Sequence, residues 1–412
     1  MSLKRVVSIV LMTLLLLSLF AVPASAATRL NSYPIVLIGG LGVWGRGEVL
    51  GFKYWGGLGD LQESLKSAGF STVTAAPGPV SSYYDRACDV YAQILGKKAD
   101  YGAGHAAKYG HSRWGKDYTG KALLPNWGTS PTKVHLICHS MGGPTGRALV
   151  QLLAQGSALE RGTSQTSMSP LFQGGKNWVR GCLTISSPHD GTTLTSINYP
   201  IIGTADGKWV QDVLSGWVSL WGGGNSFYDW KLDQWGLTQQ PGESGSAYND
   251  RVKNSSIWTT TKDLANYDGS PEGAREFNTW VKAQPNVYYF SWATCATYKE
   301  IFTGYQIPRV DMNLIWSTPL FCWHMGKYTT NASGKVPIDS SWWPNDGVVN
   351  TRSMKGSSMD TIVNYNGIPQ IGKWNYLGLK DGWDHSDIIG ITVWPIAGWY
   401  NDQASLLGSL PQ

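Results

Sequence analysis

Three stretches of the chain are apolar almost without interruption: Pro34-Ile-Val-Leu-Ile38, Val134-His-Leu-Ile-Cys138 and Val179 to Ile185. Their shortness and β-branched content mark strands covered on both faces, as in a parallel sheet. Around them the apolar period changes to that of a helix, at Leu61 to Ala68 and at Arg147 to Leu153. Strands alternating with helices predict an α/β fold, a mostly parallel central sheet flanked by helices. One further helical stripe stands apart. Trp209, Val210, Val213, Leu214, Trp217, Val218 and Trp221 share a face, with Lys208, Gln211, Asp212, Ser215 and Ser219 opposite. Gly222-Gly223-Gly224 ends it and supplies a hinge. The pattern fits a core-facing helix and a movable lid over an apolar cleft equally well.

The chain begins in a different style. Lys4 and Arg5 precede an apolar run from Val6 to Ala21, and Ala24-Ser25-Ala26 offers a small-residue cleavage site. This reads as a signal peptide over residues 1–26, too short and wrongly flanked for a membrane anchor, and predicts a secreted protein. No repeat, Pro-rich linker or boundary interrupts residues 27–412, which we take as one domain. Cys88, Cys138, Cys182, Cys295 and Cys322 are odd in number and widely spaced. Buried free thiols are expected rather than a disulfide framework.

Composition narrows the function. The 412 residues carry a net charge of +5 with no Lys/Arg block, which argues against a nucleic-acid partner. The 21 Trp and 20 Tyr against 9 Phe are unusual. Amphipathic rings suit a wet surface or a substrate cleft, so a secreted Trp-rich binding protein is the rival to any enzyme.

Chemistry enters at Cys138-His139-Ser140-Met141-Gly142, which follows an apolar strand and opens a helix through Gly143, Pro144 and Arg147. Serine at the apex of a strand–turn–helix is a nucleophile elbow. The strained turn requires small neighbours; Gly142 satisfies this, whereas Cys138 is a tighter fit than Gly or Ala. The backbone N–H of Met141 then points at a developing oxyanion. The second oxyanion donor is expected from the loop after the first strand, Gly39-Gly40-Leu41-Gly42, at Leu41. Seven histidines are available as the base. His135 lies in a strand, His139 is too constrained to reach back to the serine, and His105, His111 and His189 do not fit the order serine, acid, histidine. His385, late in the chain in Trp383-Asp384-His385-Ser386-Asp387, fits better than His324 in Cys322-Trp323-His324-Met325. Asp346, in Asn345-Asp-Gly-Val-Val-Asn350, is the expected acid, fixing the imidazole tautomer.

Longer blocks carry a resemblance. Gly51-Phe-Lys-Tyr-Trp-Gly-Gly57, Tyr84-Asp-Arg-Ala-Cys-Asp-Val-Tyr-Ala-Gln93, Lys231-Leu-Asp-Gln-Trp-Gly-Leu237 and Gln240-Pro-Gly-Glu-Ser244 match one family, as does the segment around Asp346. Over essentially all of residues 27–412 the chain resembles the thermoalkalophilic Geobacillus lipases and their staphylococcal relatives. The resemblance implies an α/β-hydrolase fold, the triad Ser140, Asp346 and His385, the oxyanion donors Leu41 and Met141, and a lid at about 198–230. It implies hydrolysis of triacylglycerols and smaller esters, with action on synthetic polyesters as the in-class alternative. The partner is then a lipid or ester substrate or a polymer surface, met through transient contact with a lipid interface, and no obligate protein partner is implied. It also implies a structural zinc held by Asp85, His105, His111 and Asp233, in an insertion at about 84–115. A calcium site is implied at Glu300 and Asp387. Where relatives place a second carboxylate shortly after the histidine, this chain has Ile391-Thr392-Val393, which removes one calcium ligand. A second departure is Gly39-Gly40-Leu41 in place of the family's His-Gly-Phe, which makes the pocket wall smaller and non-aromatic.

Overall fold

The structure, a computed structural model, describes residues 29–164, 167–196, 228–312, 319–392 and 395–412. The expected signal peptide and the helical stripe at 208–221 lie outside the described residues. The first apolar run forms β1 (Ile35–Ile38). Helix α1 (Leu61–Ser67) starts where the Asp60 carboxylate accepts the Glu63 amide, and it leads into β2 (Thr72–Ala75). Helix α2 (Tyr83–Leu95) starts at Ser82, whose hydroxyl accepts the Asp85 amide, and stops at left-handed Gly96. An insertion follows: β3 (Lys98–Asp100), α3 (Ala103–Tyr109) and β4 (Trp114–Asp117), with β3 and β4 antiparallel. Next come β5 (Val134–His139), α4 (Gly142–Gln155), β6 (Val179–Ile185) and β7 (Tyr288–Cys295). The hairpin β8 (Thr297–Lys299) and β9 (Gln306–Pro308) precedes α5 (Pro319–Met325). The chain closes with β10 (Ile362–Asn364), β11 (Trp374–Asp381) and α6 (Ala397–Gly408).

Seven strands form one sheet in the order β10-β11-β7-β6-β5-β1-β2, every pairing parallel. The three apolar runs are β1, β5 and β6, adjacent at its centre, which is why alternation is absent from them. Successive residues serve opposite cores. Val36, Ile38, Leu136 and Cys138 pack with α2 and α4, whereas Ile35, Leu37, Ile137 and Leu183 pack with α1 and α6. A smaller core gathers Trp230, Leu232, Tyr248, Trp258, Leu264, Phe321 and Met325 beside it. Seven of the described tryptophans, Trp44, Trp55, Trp127, Trp230, Trp258, Trp342 and Trp374, are buried and serve packing. All five cysteines are buried and unpaired, as expected from their spacing.

Register aligns the strand ends that matter. Ile38 pairs with Cys138, His139 with Ile185, and Ile185 with Trp292. The loops leaving β1, β5, β7 and β11 therefore emerge along one carboxyl edge, where open α/β sheets place their sites. This is the α/β-hydrolase arrangement the sequence implied.

Candidate active site

Ser140 sits between β5 and α4 with φ 57, the left-handed region that non-glycine residues avoid. Two bonds hold it there: its amide donates to the Ile185 carbonyl at 2.9 Å and its carbonyl accepts the Gly143 amide at 2.9 Å. The turn is tight enough that a Cβ on Gly142 would lie 2.2 Å from the Ile38 carbonyl oxygen. Cys138 fits for a reason the pentapeptide alone does not disclose. Its Sγ points at Gly146 on α4, where a Cβ would stand 2.7 Å away.

The loop after β11 brings His385 over the serine, with Nε2 2.8 Å from Ser140 Oγ. Its Nδ1 lies 2.8 Å from Asp346 Oδ2, and its backbone amide donates to the Asp346 carbonyl. Asp346 is fully buried. Its Oδ1 accepts the amides of Val348 and Val349, so a turn that reads as an ordinary Asx motif also fixes the carboxylate. Oδ2 also takes the Thr294 hydroxyl, at 2.7 Å. These groups are brought together as expected from sequence; Thr294, fifty-two positions earlier on β7, gave no local signal. His324 instead stacks on Tyr328. His135 in β5 and His189 in the turn after β6 are buried and held neutral by desolvation, His135 pulled down to about 3.

The two expected oxyanion donors are unclaimed. Among the described residues the amides of Leu41 and Met141 have no acceptor, although the neighbouring Gly40, Gly42 and Gly143 amides do. A hydroxyl and two unclaimed amides around one point can add to an ester carbonyl and hold the resulting oxyanion.

A second cluster lies behind α2. Asp85, His105, His111 and Asp263 bring their ligand atoms within 4.8 Å of one another. Asp263, not Asp233, is the fourth member. The 3-10 turn Asp233–Trp235 does reach the cluster, but through Gln234, whose amide donates to Asp85 Oδ2 at 2.9 Å. Neighbours in such a turn point about 120° apart, so Asp233 is turned toward Asp229 and Lys116. Asp263 comes from the loop between two short helices, Ile257–Thr260 and Ala265–Asp268. The histidines converge because α3 ends at left-handed Gly110 and turns His111 back. Burial pulls His105 down, yet the facing Asp263 and Asp85 outweigh it and push it up to about 10. His111 donates through Nδ1 to the Ser112 carbonyl and turns Nε2 toward Asp263 Oδ2 at 3.1 Å. Asp85 Oδ1 is buried and faces His105 Nε2 at 3.2 Å. Two imidazoles and two carboxylates, with atoms of this kind turned inward, suit a buried divalent ion.

No such gathering occurs at the expected calcium residues. The Glu300 carboxylate closes the β8–β9 turn, accepting the amides of Phe302 and Thr303, and its backbone carbonyl accepts Gly304. Asp387 accepts the Asp384 amide and faces a cavity of about 600 Å³ that Asp311 also lines. Among the described residues no third carboxylate, imidazole or thiol joins them.

Comparison with known proteins gives the same picture. The family model for "Lipase-like, C-terminal domain" matches residues 31–398. Lipase 1 of Staphylococcus aureus (strain MRSA252) is 34% identical over 368 residues, 87% of this chain and 51% of that protein. The chain thus spans about half the length of the curated relatives it matches. EstA from Clostridium botulinum is 46% identical, with a TM-score of 0.87 over 95% of this chain and 90% of that one. Lipase 1 from Pelosinus fermentans is 49% identical, with a TM-score of 0.81 over 93% and 100%. A chain with this sheet, this elbow and these relatives belongs to the lipase-like C-terminal domain family, among the bacterial lipases and esterases of the α/β-hydrolase superfamily.

Proposed function

We propose that the protein is a secreted serine carboxylester hydrolase acting on triacylglycerols and smaller esters. The observation that supports it most is the continuous chain Ser140 Oγ, His385 Nε2, His385 Nδ1, Asp346 Oδ2, with 2.8 Å at both links. Ser140 Oγ attacks the ester carbonyl carbon while His385 Nε2 takes its proton. The carbonyl oxygen, now an anion, receives the amides of Leu41 and Met141. His385 returns the proton to the departing alcohol, leaving an acyl group on Ser140. Water enters, gives a proton to His385 and attacks the acyl carbon; His385 returns that proton to Ser140 Oγ as the acyl–serine bond breaks, and the acid departs. Asp346 holds the ring so that Nε2 faces the serine throughout.

The buried cluster at Asp85, His105, His111 and Asp263 would hold zinc. A bound dication would neutralise two buried carboxylates and cross-link the segments that bear them, a structural part with no share in ester cleavage. An activity-based fluorophosphonate tests the catalytic reading. Labelling of wild type that vanishes in Ser140→Ala supports it; a folded wild type that stays unlabelled would favour the Trp-rich binding protein instead. A panel of long-chain emulsion, soluble short-chain ester and polyester film then separates lipase from polyesterase.

A further inference from the structure

The Gly39–Gly40 peptide group is held at both of its ends. Its carbonyl oxygen accepts Arg86 Nη2 at 2.5 Å, and its N–H donates to the Tyr54 hydroxyl at 2.7 Å. The next peptide group carries the Leu41 amide, and its carbonyl, that of Gly40, accepts Val43. With the first plane fixed, only the two torsions of Gly40 remain to aim the Leu41 N–H. No larger residue could stand at Gly40, because a Cβ would meet Ser140 Cβ at 2.5 Å and Oγ at 2.8 Å.

The Tyr54 hydroxyl has a second partner, His139 Nδ1, at 2.8 Å. His139 Nε2 lies 3.0 Å from the backbone carbonyl of His385. Chemistry fixes the direction of every bond in this series. A carbonyl only accepts, so His139 carries its proton on Nε2 and donates to His385. A neutral imidazole then presents a lone pair at Nδ1, so Tyr54 donates there and accepts from Gly40. All three side chains are buried, so each bond lies where an unmade one is costly. The ring of Tyr54 is further boxed edge-on by Trp44 and Trp55.

We propose that Tyr54 is a positioning residue for the hydrolysis, its hydroxyl joining the oxyanion loop to the backbone of the catalytic histidine through His139. The series Gly40, Tyr54, His139, His385 makes the oxyanion donor and the base one rigid unit around Ser140. Arg86 secures the same unit from the other side, since its Nε donates to Thr145 Oγ1, which donates in turn to the Met141 carbonyl. This inference rests on the serine-hydrolase reading above, and Ser140→Ala, assayed in parallel, tests that reading separately.

The decisive variant is Tyr54→Phe, which keeps the ring and deletes the hydroxyl. On a soluble short-chain ester, kcat is expected to fall about tenfold or more with KM within about twofold, less than the 10²–10³ lost with a whole oxyanion donor. The inhibition constant of an alkylboronic acid, which forms a tetrahedral adduct on the nucleophilic serine, is expected to rise by the same factor as kcat/KM falls. A residue that merely fills space would lower the melting temperature without that parallel. Wild-type kcat in folded Tyr54→Phe, or a loss confined to KM, overturns the proposal. Should Tyr54→Phe fail to fold, His139→Gln serves, since its amide can reach the His385 carbonyl but offers no acceptor where Nδ1 stood. A folded His139→Gln with wild-type kcat and boronate affinity would equally overturn it.

Discussion

Thr294 places its hydroxyl on the same Asp346 oxygen that meets His385. Ser186 donates to Thr294 in turn, at 2.7 Å. With the Val348 and Val349 amides on the other oxygen, the carboxylate cannot rotate without breaking several buried bonds. Deleting one of them should loosen the orientation of the imidazole without touching substrate. Thr294→Val is expected to lower kcat about tenfold, the equivalent of one buried hydrogen bond, with KM nearly unchanged. Thr294→Ser should recover most of the loss in the same steady-state assay. Equal kcat in all three proteins would show that the two backbone amides suffice.

The elements that sequence could place are those whose pattern is forced by burial on both faces. β1, β5 and β6 lie inside the sheet, so apart from His135, His139 and Arg180 their positions are apolar or small and no alternation is needed to recognise them. β11 is harder, because Tyr376 to Asp381 are partly or fully exposed and include a bulge at Gly378. The convergence of Ser140, His385 and Asp346 was legible because the elbow is a local motif and the order of the other two residues is restricted. The supporting groups were not. His139 is correctly excluded as a base, yet its link to the His385 carbonyl spans 246 positions and leaves no trace in either segment. The expectation of Asp233 has the same origin: the four side chains of the cluster converge from three separate stretches of chain, and only the fold shows that Asp263 joins them.

Contact between Cys138 and Gly146 explains a departure from the usual small residue at the first elbow position. The sulfur occupies space that a side chain on α4 would otherwise fill. Gly146→Ala places a methyl 2.7 Å from Sγ, closer than such atoms tolerate. Overpacking of this kind costs about 1–3 kcal/mol. Adding Cys138→Ala should relieve the clash, so the double variant should be more stable than the sum of the single effects by about 1 kcal/mol or more. Urea unfolding of the four proteins measures this coupling; strict additivity would mean that α4 shifts to absorb the methyl.

The candidate metal cluster, with Asp263 where Asp233 was expected, makes a sharp distinction between two aspartates. Wild type and Asp233→Asn are expected to purify with about one zinc per chain by elemental analysis, and Asp263→Asn with far less. Chelation should lower the melting temperature of wild type by roughly 5 °C, as loss of a tight native-state ligand does, and leave that of Asp263→Asn nearly unmoved. Zinc retained in Asp263→Asn and lost from Asp233→Asn would reverse the assignment.

Acid should destabilise the protein through His135. Its Nε2 meets Asn31 Oδ1 at 2.9 Å, and Asn31 in turn donates to the Leu407 and Leu410 carbonyls, tying the start of the domain to its end. Nδ1 is buried with no partner, so a second proton would be stranded there. Burial, aided by the positive charge of Arg180, pulls the folded imidazole down to about 3, against about 6.5 in an unfolded chain. Between those values the unfolded state binds a proton that the folded state refuses, so stability falls as pH falls. The contribution is complete above pH about 6.5 and is lost progressively toward about 3, at about 1.4 kcal/mol per pH unit. His135→Gln keeps a donor for Asn31 and cannot titrate. Whatever the substitution costs at pH 7.5, the gap between variant and wild type should narrow by about 2 kcal/mol on going to pH 5. Urea unfolding at the two pH values gives the gap directly, and a gap that does not change with pH would mean that the folded His135 accepts its proton as readily as the unfolded one.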